Sequence, residues 1–373
     1  MRLKLSILFA KFAALLSKRI LRRSGETIAG RVLLALYPKA ISELSKNKKI
    51  ICVSGTNGKT STTKALVSII SKLGTVATSP SGSNLERGVA AALMTNSEFA
   101  VLEVDELHLS RIIEEAKPKA VLLLNLTRDQ LHRMHEVKRV ADRWAKSASS
   151  APETLFIGDI DDPFVALALK SASQALRISF GGRKHQDGAV CPSCGKYLKW
   201  IGKNYKCNCG LSNSSPEQIF EDGSAAYRNA TMANLVGKHF GAKPIAIDEK
   251  SLERSVEQIH KGVKANIRLT KNPASWTEAL KSVSGESAIL IVNAREVDGI
   301  DTSWLWDISF ANLSGKHVVV CGERALDIAY RLHVEGIEAE ITSTFDQAIS
   351  KFASGSSVHV LAAYTAFHEL VNP

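Results

Sequence analysis

No stretch of this 373-residue chain runs for about 18 apolar residues without a charge, so a membrane-spanning helix is not expected. Internal repeats and low-complexity tracts are missing too, which excludes solenoids, propellers and the compositional classes of disorder. Cysteine is scarce outside one place. Four of the six lie between Cys191 and Cys209, while Cys52 and Cys321 sit inside apolar, strand-like runs. That clustering argues against a disulfide framework and for a metal site in a reducing compartment. Acid is in short supply: 37 Asp and Glu face 48 Lys and Arg, a formal net charge of +11. Such a surface attracts nucleotides, anionic membranes and nucleic acids alike. The remainder, 45% hydrophobic and 23% charged, is ordinary globular material, long enough for two or three domains.

The first residues, MRLKLSILFAKFAALLSKRILRR, are basic and apolar, but Lys4, Lys11, Lys18 and Arg19 interrupt any signal-peptide core and no small-residue cleavage site follows. Leu5, Leu8, Phe9, Phe12, Leu15, Leu16 and Ile20 recur at helical spacing, which predicts an amphipathic helix with a basic face. Packing into a core and reversible membrane contact are the two uses such a helix has.

From Lys48 the pattern turns to strand, glycine-rich turn and helix: IICVSG, GTNGKT, then Thr62 to Leu73. The runs AVLEV (100–104), AVLLLNL (120–126) and TLFIG (154–158) alternate with helical segments, as a parallel sheet with crossover helices requires. Residues 182–215 break the rhythm and read as an insertion. Helices are expected around Tyr227 to Phe240 and Leu252 to Ile259. TKNPASW reads as a seam, after which AILIVN (288–293), HVVVCG (317–322), a helix over Glu323 to Val334 and VHVLAA (358–363) form a second α/β pattern.

Gly55-Thr56-Asn57-Gly58-Lys59-Thr60 falls between strand and helix, where backbone N–H groups and a helix N-terminus can cradle phosphates. Lys59 would reach the terminal phosphates and the Thr60 hydroxyl would bind Mg²⁺. The strict GxxxxGK[ST] pattern fails, since Val53 takes its first glycine. Cys191, Cys194, Cys207 and Cys209 form two close pairs separated by 12 residues, a zinc-ribbon spacing that leaves no open coordination position for catalysis. Lys196, Lys199, Lys203, Lys206, Tyr197, Trp200 and Tyr205 interleave with them, the pattern of a nucleic-acid-binding knuckle or of a solvated lysine surface.

SGTNGKTSTT resembles the ATP loop of the Mur ligases and folylpolyglutamate synthases, which join an amine to a carboxylate through an acyl phosphate. LEVDE and NLTRDQLHR resemble the next family motifs. By that resemblance Glu103 is the second Mg²⁺ ligand, a hard carboxylate at a strand end, Asn125 and Asp129 match a family motif after the next strand, and Asn229 contacts adenine. GDIDDPF (158–164) resembles the family's following strand end. The four-cysteine insertion, with DGIDTSWLWD and AYTAFHEL, narrows the resemblance to the synthetase subunits of lipid II isoglutaminyl synthases.

The implied architecture is α/β: a Mur ligase central domain with a parallel sheet and phosphate loop, carrying a zinc-ribbon insertion, then a Rossmann-like α/β C-terminal domain. Residues 1–40 would form an amphipathic helical segment, 41–265 the ATP-binding domain with its insertion at about 185–215, and 266–373 the domain contacting a partner. The resemblance implies ATP, Mg²⁺ and structural Zn²⁺. It implies amidation of the D-glutamate α-carboxylate of lipid II to D-isoglutamine, with ammonia from a GatD-type glutaminase subunit in a heterodimer. It places the enzyme at the inner face of the plasma membrane and expects no nucleic acid. Asp301 would complete the partner's Cys–His pair; as a bare residue it reads as a turn or N-cap aspartate beside Gly299 and Ser303. Trp304 and Trp306 read as core or as a docking surface. The sequence departs from the family at His132, His135, Ala226, Val263 and Arg268, which touches ATP affinity and turnover more than fold. A self-sufficient amino-acid ligase and a nucleic-acid-binding ribbon are the competing readings.

Overall fold

The computed structural model describes residues 2–21, 26–79, 83–128, 137–246, 248–252, 255–295 and 298–372. Two compact units divide the chain, residues 1–126 with 137–252 and residues 127–136 with 253–373.

In the first unit, α1 (Arg2–Leu21), α2 (Glu26–Leu36) and α3 (Ala40–Ser45) precede β1 (Lys49–Ser54) and α4 (Lys59–Ile70). Then come β2 (Val76–Ala77), α5 (Glu86–Leu93), β3 (Phe99–Glu103), α6 (Leu109–Ala116), β4 (Ala120–Leu123), α7 (Val137–Ser149), β5 (Leu155–Asp159), α8 (Pro163–Ser171) and β6 (Gln174–Ser179). A hairpin of β7 (Lys199–Ile201) and β8 (Asn204–Lys206) interrupts the alternation before β9 (Gln218–Ile219), α9 (Ala225–His239) and α10 (Glu249–Leu252). The main sheet has the order β2-β3-β1-β4-β5-β6-β9 and is parallel throughout. Its central strands β3 and β4 are buried along their whole length because helices cover both faces, while β6 and β9 toward one edge are partly exposed. Ile51, Val53, Val101 and Leu122 pack with Leu66, Ile69, Ala233 and Val236 of α4 and α9 in one core.

The second unit contains β10 (Ser255–His260), β11 (Val263–Leu269), α11 (Pro273–Lys281), β12 (Ser287–Ile291), β13 (His317–Cys321), α12 (Ala325–Val334), β14 (Glu340–Ile341), α13 (Phe345–Ile349), β15 (Ser357–Ala362) and α14 (Tyr364–Val371). Its order is β10-β11-β15-β12-β13-β14, with β10 alone antiparallel. Alternation splits β12, β13 and β15 between two cores. Leu290 and Val320 face Trp276 and Phe310, whereas Ile289, Val319 and Cys321 face Val360 and Phe367.

Three expectations change. The helix expected around Leu252 to Ile259 is the strand β10, because Lys261 (φ 50°) and Gly262 (φ 79°) make a tight two-residue turn that folds β10 back on β11. TKNPASW is a helix start: the Asn272 side chain accepts from Ser275 N–H, Ser275 Oγ accepts from Asn272 N–H, and Pro273 stands in the first turn. In α1 the stripe of Leu5, Leu8, Phe9, Phe12, Leu15 and Leu16 does not enter the core, against the packed reading of this helix. Ser6, Ala10 and Ser17 are buried, while Leu8 (66% exposed), Phe9, Phe12 (63%) and Leu15 face outward. No helix among the described residues is long and apolar enough to cross a membrane.

Candidate functional site

At the end of β1 the chain turns sharply at Gly55, where φ is 144° and a Cβ would lie 2.9 Å from the Asn125 carbonyl oxygen. Gly58 has φ of 86°, and a Cβ there would lie 2.2 Å from Nδ2 of Asn229. Both positions therefore require glycine, and Asn229 on α9 is packed directly on the loop. Asn125, just past β4, clamps the other side. It accepts from Thr56 N–H at its carbonyl (2.9 Å) and from Asn57 N–H at Oδ1 (3.0 Å), and its Nδ2 donates to the Asn57 carbonyl (2.9 Å).

Lys59 and Thr60 open α4, whose first turn carries no acid, so the helix dipole adds to the lysine charge in favouring an anion. The Lys59 ammonium is itself buried. It donates to the Gly55 carbonyl (2.5 Å) and to Glu106 Oε2 (2.9 Å), in an ion pair whose side chains are 9% and 7% exposed. Glu106 was not singled out in the sequence; the signal was the last acid of LEVDE, three residues past Glu103. Trp144 Nε1 donates to the Glu106 carbonyl (3.0 Å) and holds that segment in place. Glu103 is buried at the end of β3, in register with Val53. The loop, Glu103 and Asn125 thus share the carboxyl edge of three adjacent parallel strands, where open α/β sheets bind ligands. A lysine, a hydroxyl and a carboxylate at a helix N-terminus are the parts phosphoryl transfer uses, and Thr60 and Glu103 offer the oxygen donors that suit Mg²⁺.

Two strands along, Asp159 ends β5 and Asp161 and Asp162 follow it, and together they anchor the insertion. Asp161 accepts from Ser179 Oγ (2.9 Å), Phe180 N–H (2.9 Å), Gly182 N–H (3.1 Å) and Asn213 Nδ2 (2.9 Å). Tyr205 OH donates to the Ile160 carbonyl (2.9 Å). Asp162 caps α8 and accepts from Leu126 N–H (2.7 Å). Burial works against its charge, but His185 at 3.3 Å and the backbone N–H groups outweigh it and hold its carboxyl below the usual range. Burial pushes the Asp159 carboxyl up to about 7, although Arg183 lies 3.3 Å away.

Within the insertion the four cysteine sulfurs lie within 4.8 Å of one another, with Cys191–Cys209 at 3.6 Å and Cys194–Cys207 at 3.4 Å. These separations are far too long for disulfides, which need about 2.05 Å. They are close to the roughly 3.8 Å edge of a tetrahedron with about 2.3 Å metal–sulfur bonds. Each pair sits on a turn closed by a left-handed glycine, Gly195 (φ 74°) or Gly210 (φ 82°), with backbone bonds from Gly195 N–H to the Cys191 carbonyl and from Gly210 N–H to the Cys207 carbonyl. The cluster is compatible with a metal ion. Of the interleaved aromatics, Tyr205 is buried and Trp200 donates to the Gly188 carbonyl (2.7 Å); Tyr197 is exposed.

In the second unit Asp301 is exposed, and its Oδ1 accepts from Ser303 N–H (2.8 Å), opening the 3₁₀ turn Ser303–Asp307. Trp304 is core against Trp276, whereas Trp306 is exposed under the Arg331 guanidinium (5.4 Å). The loop is tied down by Asp298, unremarked in the sequence, which is buried and accepts from Thr365 N–H (2.7 Å) and Thr365 Oγ1 (2.6 Å). Among the departures, Ala226 lies in the α9 core, Val263 is buried in β11 and Arg268 donates to Ser282 Oγ (2.6 Å). Asp129, His132 and His135 lie outside the described residues.

Comparison with known proteins matches residues 53–212 to the Mur ligase middle domain and residues 269–367 to the MurT ligase C-terminal domain. The MurT subunit of lipid II isoglutaminyl synthase (glutamine-hydrolysing) from Streptococcus pneumoniae is 28% identical over 92% of this chain and 91% of its own. The MurT subunit from Staphylococcus aureus is 26% identical over 91% and 90%. The MurF ligase of Thermotoga maritima, solved with ADP, superposes with a TM-score of 0.63 at 16% identity, covering 92% of this chain and 82% of that one. The resemblance drawn from the motifs and the expected α/β architecture agree with these matches. With a Mur ligase middle domain followed by a MurT ligase C-terminal domain, the chain is a Mur-ligase-fold protein of the MurT type.

Proposed function

We propose that this chain is the ATP-dependent synthetase subunit of a lipid II isoglutaminyl synthase. One observation carries the reading: a buried lysine at the N-terminus of α4, on a loop shaped for phosphates, in a chain that continues into a MurT ligase C-terminal domain. The acceptor is the α-carboxylate of D-glutamate in the lipid II stem peptide. A carboxylate is a poor electrophile; transfer of the ATP γ-phosphoryl group to it releases ADP and leaves an acyl phosphate. Ammonia then adds to the acyl carbon, phosphate departs, and the amide of D-isoglutamine remains.

The residues divide this work. The loop Gly55–Gly58, whose Thr56 and Asn57 N–H groups are held by Asn125, brings the N-terminus of α4 to the phosphates, Lys59 offsets the charge that gathers on the transferred group, and Asn229 lines the nucleotide side. Thr60 and Glu103 would hold Mg²⁺, which shields the phosphate oxygens when bound. Cys191, Cys194, Cys207 and Cys209 hold Zn²⁺ as a structural ion, since four thiolates leave no position for substrate. Ammonia comes from a GatD-type glutaminase subunit in a heterodimer, toward which residues 266–373 present Asp301 to orient its histidine. Residues 41–265 carry the nucleotide chemistry, and the complex works at the inner face of the plasma membrane.

The test is glutamine-dependent release of ADP and phosphate by the purified chain with lipid II, with and without a co-expressed glutaminase subunit. Turnover that requires partner, lipid II and ATP together supports the reading. Turnover by the isolated chain with an amino-acid amine replaces it with that of a self-sufficient ligase.

A further inference from the structure

The α1 helix is built inside out for a helix whose only task is to complete a core. At helical spacing Ser6, Ala10 and Ser17 form one stripe, and these small residues are the buried ones. The helix packs on α2. The opposite stripe holds Leu5, Leu8, Phe9, Phe12, Leu15 and Leu16, spaced i, i+3, i+4, i+7, i+10 and i+11, and all six are 49–67% exposed. A contiguous apolar surface of this kind, one helix long, marks a contact surface.

We propose that α1 docks the protein on an anionic lipid surface, lying in the interface with its outward apolar stripe among the headgroups. Charge complementarity selects this occupant. Residues 1–23 carry seven basic residues, Arg2, Lys4, Lys11, Lys18, Arg19, Arg22 and Arg23, and no acid. Arg2, Lys4 and Lys11 are exposed, and at about 100° per residue Lys4 and Lys11 fall on one side, flanking the apolar stripe. Apolar insertion plus basic flanks is the two-signal arrangement that gives stable interfacial binding. A second copy of α1 on the same stripe would set like charge against like, since the helix itself carries five basic residues and no acid. The charges also keep the helix from spanning. The inference rests partly on the proposed reaction, whose acceptor is lipid-linked: docking brings the nucleotide-bearing unit to the surface that holds the acceptor.

The experiment is co-sedimentation of the full chain with vesicles of phosphatidylcholine, with and without phosphatidylglycerol. Binding is expected to the anionic vesicles only and to weaken with added salt. Leu8→Ser with Phe12→Ser, and separately Lys4→Glu with Lys11→Glu, are each expected to lower binding at least about tenfold. Their melting temperatures should stay at the wild-type value, because these side chains are exposed. Equal binding by the serine variant overturns the proposal. So does an absence of vesicle binding, whether α1 then proves to mediate self-association by light scattering or to hold the glutaminase subunit. Vesicle binding without ligase turnover would leave docking standing and remove the reaction instead.

Discussion

Removing the Glu106 carboxylate tests the reasoning about the phosphate loop most directly. In the free protein Lys59 is held by Glu106 at 2.9 Å and by the Gly55 carbonyl at 2.5 Å, with almost no access to water. Breaking a buried pair by deleting one partner costs about 3–5 kcal/mol, because the remaining charge stays buried without compensation. The Gly55 carbonyl remains, so Glu106→Ala should fall at the low end, about 3 kcal/mol. In a unit of this size that corresponds to a loss of about 6–12 °C in melting temperature. Calorimetry of the first unit's transition measures it. Replacing both partners, Lys59→Met with Glu106→Leu, should recover most of the loss, since no buried charge is left. Nucleotide adds a second readout. Phosphate supplies the countercharge that Glu106 no longer does, so saturating Mg·ATP should raise the melting temperature of Glu106→Ala by more than it raises the wild type's. A loss under about 1 kcal/mol, or equal stabilisation by nucleotide in both proteins, would refute the idea that Glu106 neutralises Lys59 in the free loop.

Three further outcomes are expected. Cys194→Ser with Cys209→Ser should abolish bound zinc by elemental analysis and loosen the insertion, read as hydrogen exchange at Tyr205 and Asn213; a zinc content unchanged from wild type would contradict the four-thiolate site. Asp159 has a folded-state carboxyl pKa of about 7, raised by burial from 3.8, so its contribution is fully present below pH about 4 and is lost as pH rises toward 7. Asp159→Asn should therefore gain about 3 kcal/mol on wild type between pH 5 and pH 8, and a pH-independent difference in denaturation midpoint would count against the buried carboxylate. Asp301→Asn should abolish glutamine-supported amidation and spare the reaction driven by high free ammonium; equal loss of both rates would remove Asp301 from the partner's triad.

The strand-turn-helix setting of the phosphate loop was legible because Gly, Lys and Thr at fixed spacing follow a β-branched run, and all the information is local. The cysteine cluster was legible for the same reason: each pair is close in sequence and ends on a glycine. The Lys59–Glu106 pair was not, because its members are 47 residues apart and meet only when β3 lies beside β1. The misread segment at 255–260 shows the limit of periodicity. Over six residues a helical and an extended pattern look alike, and the Lys261-Gly262 turn and the register with Arg268 decide between them.

Charge balance, the alternation of apolar runs with helical segments, and short motifs were therefore written in the sequence itself, since each depends on neighbours within a few residues. Tertiary structure alone decided the rest. It decided that the insertion is pinned to the end of β5 through Asp161 and Tyr205. It decided that Lys59 rests on a carboxylate in the free protein. It decided, too, that α1 turns Ser6, Ala10 and Ser17 inward and the stripe of Leu5, Leu8, Phe9, Phe12, Leu15 and Leu16 out. Periodicity reports that a helix has two faces; which face meets protein is settled only by the shape of what it packs against.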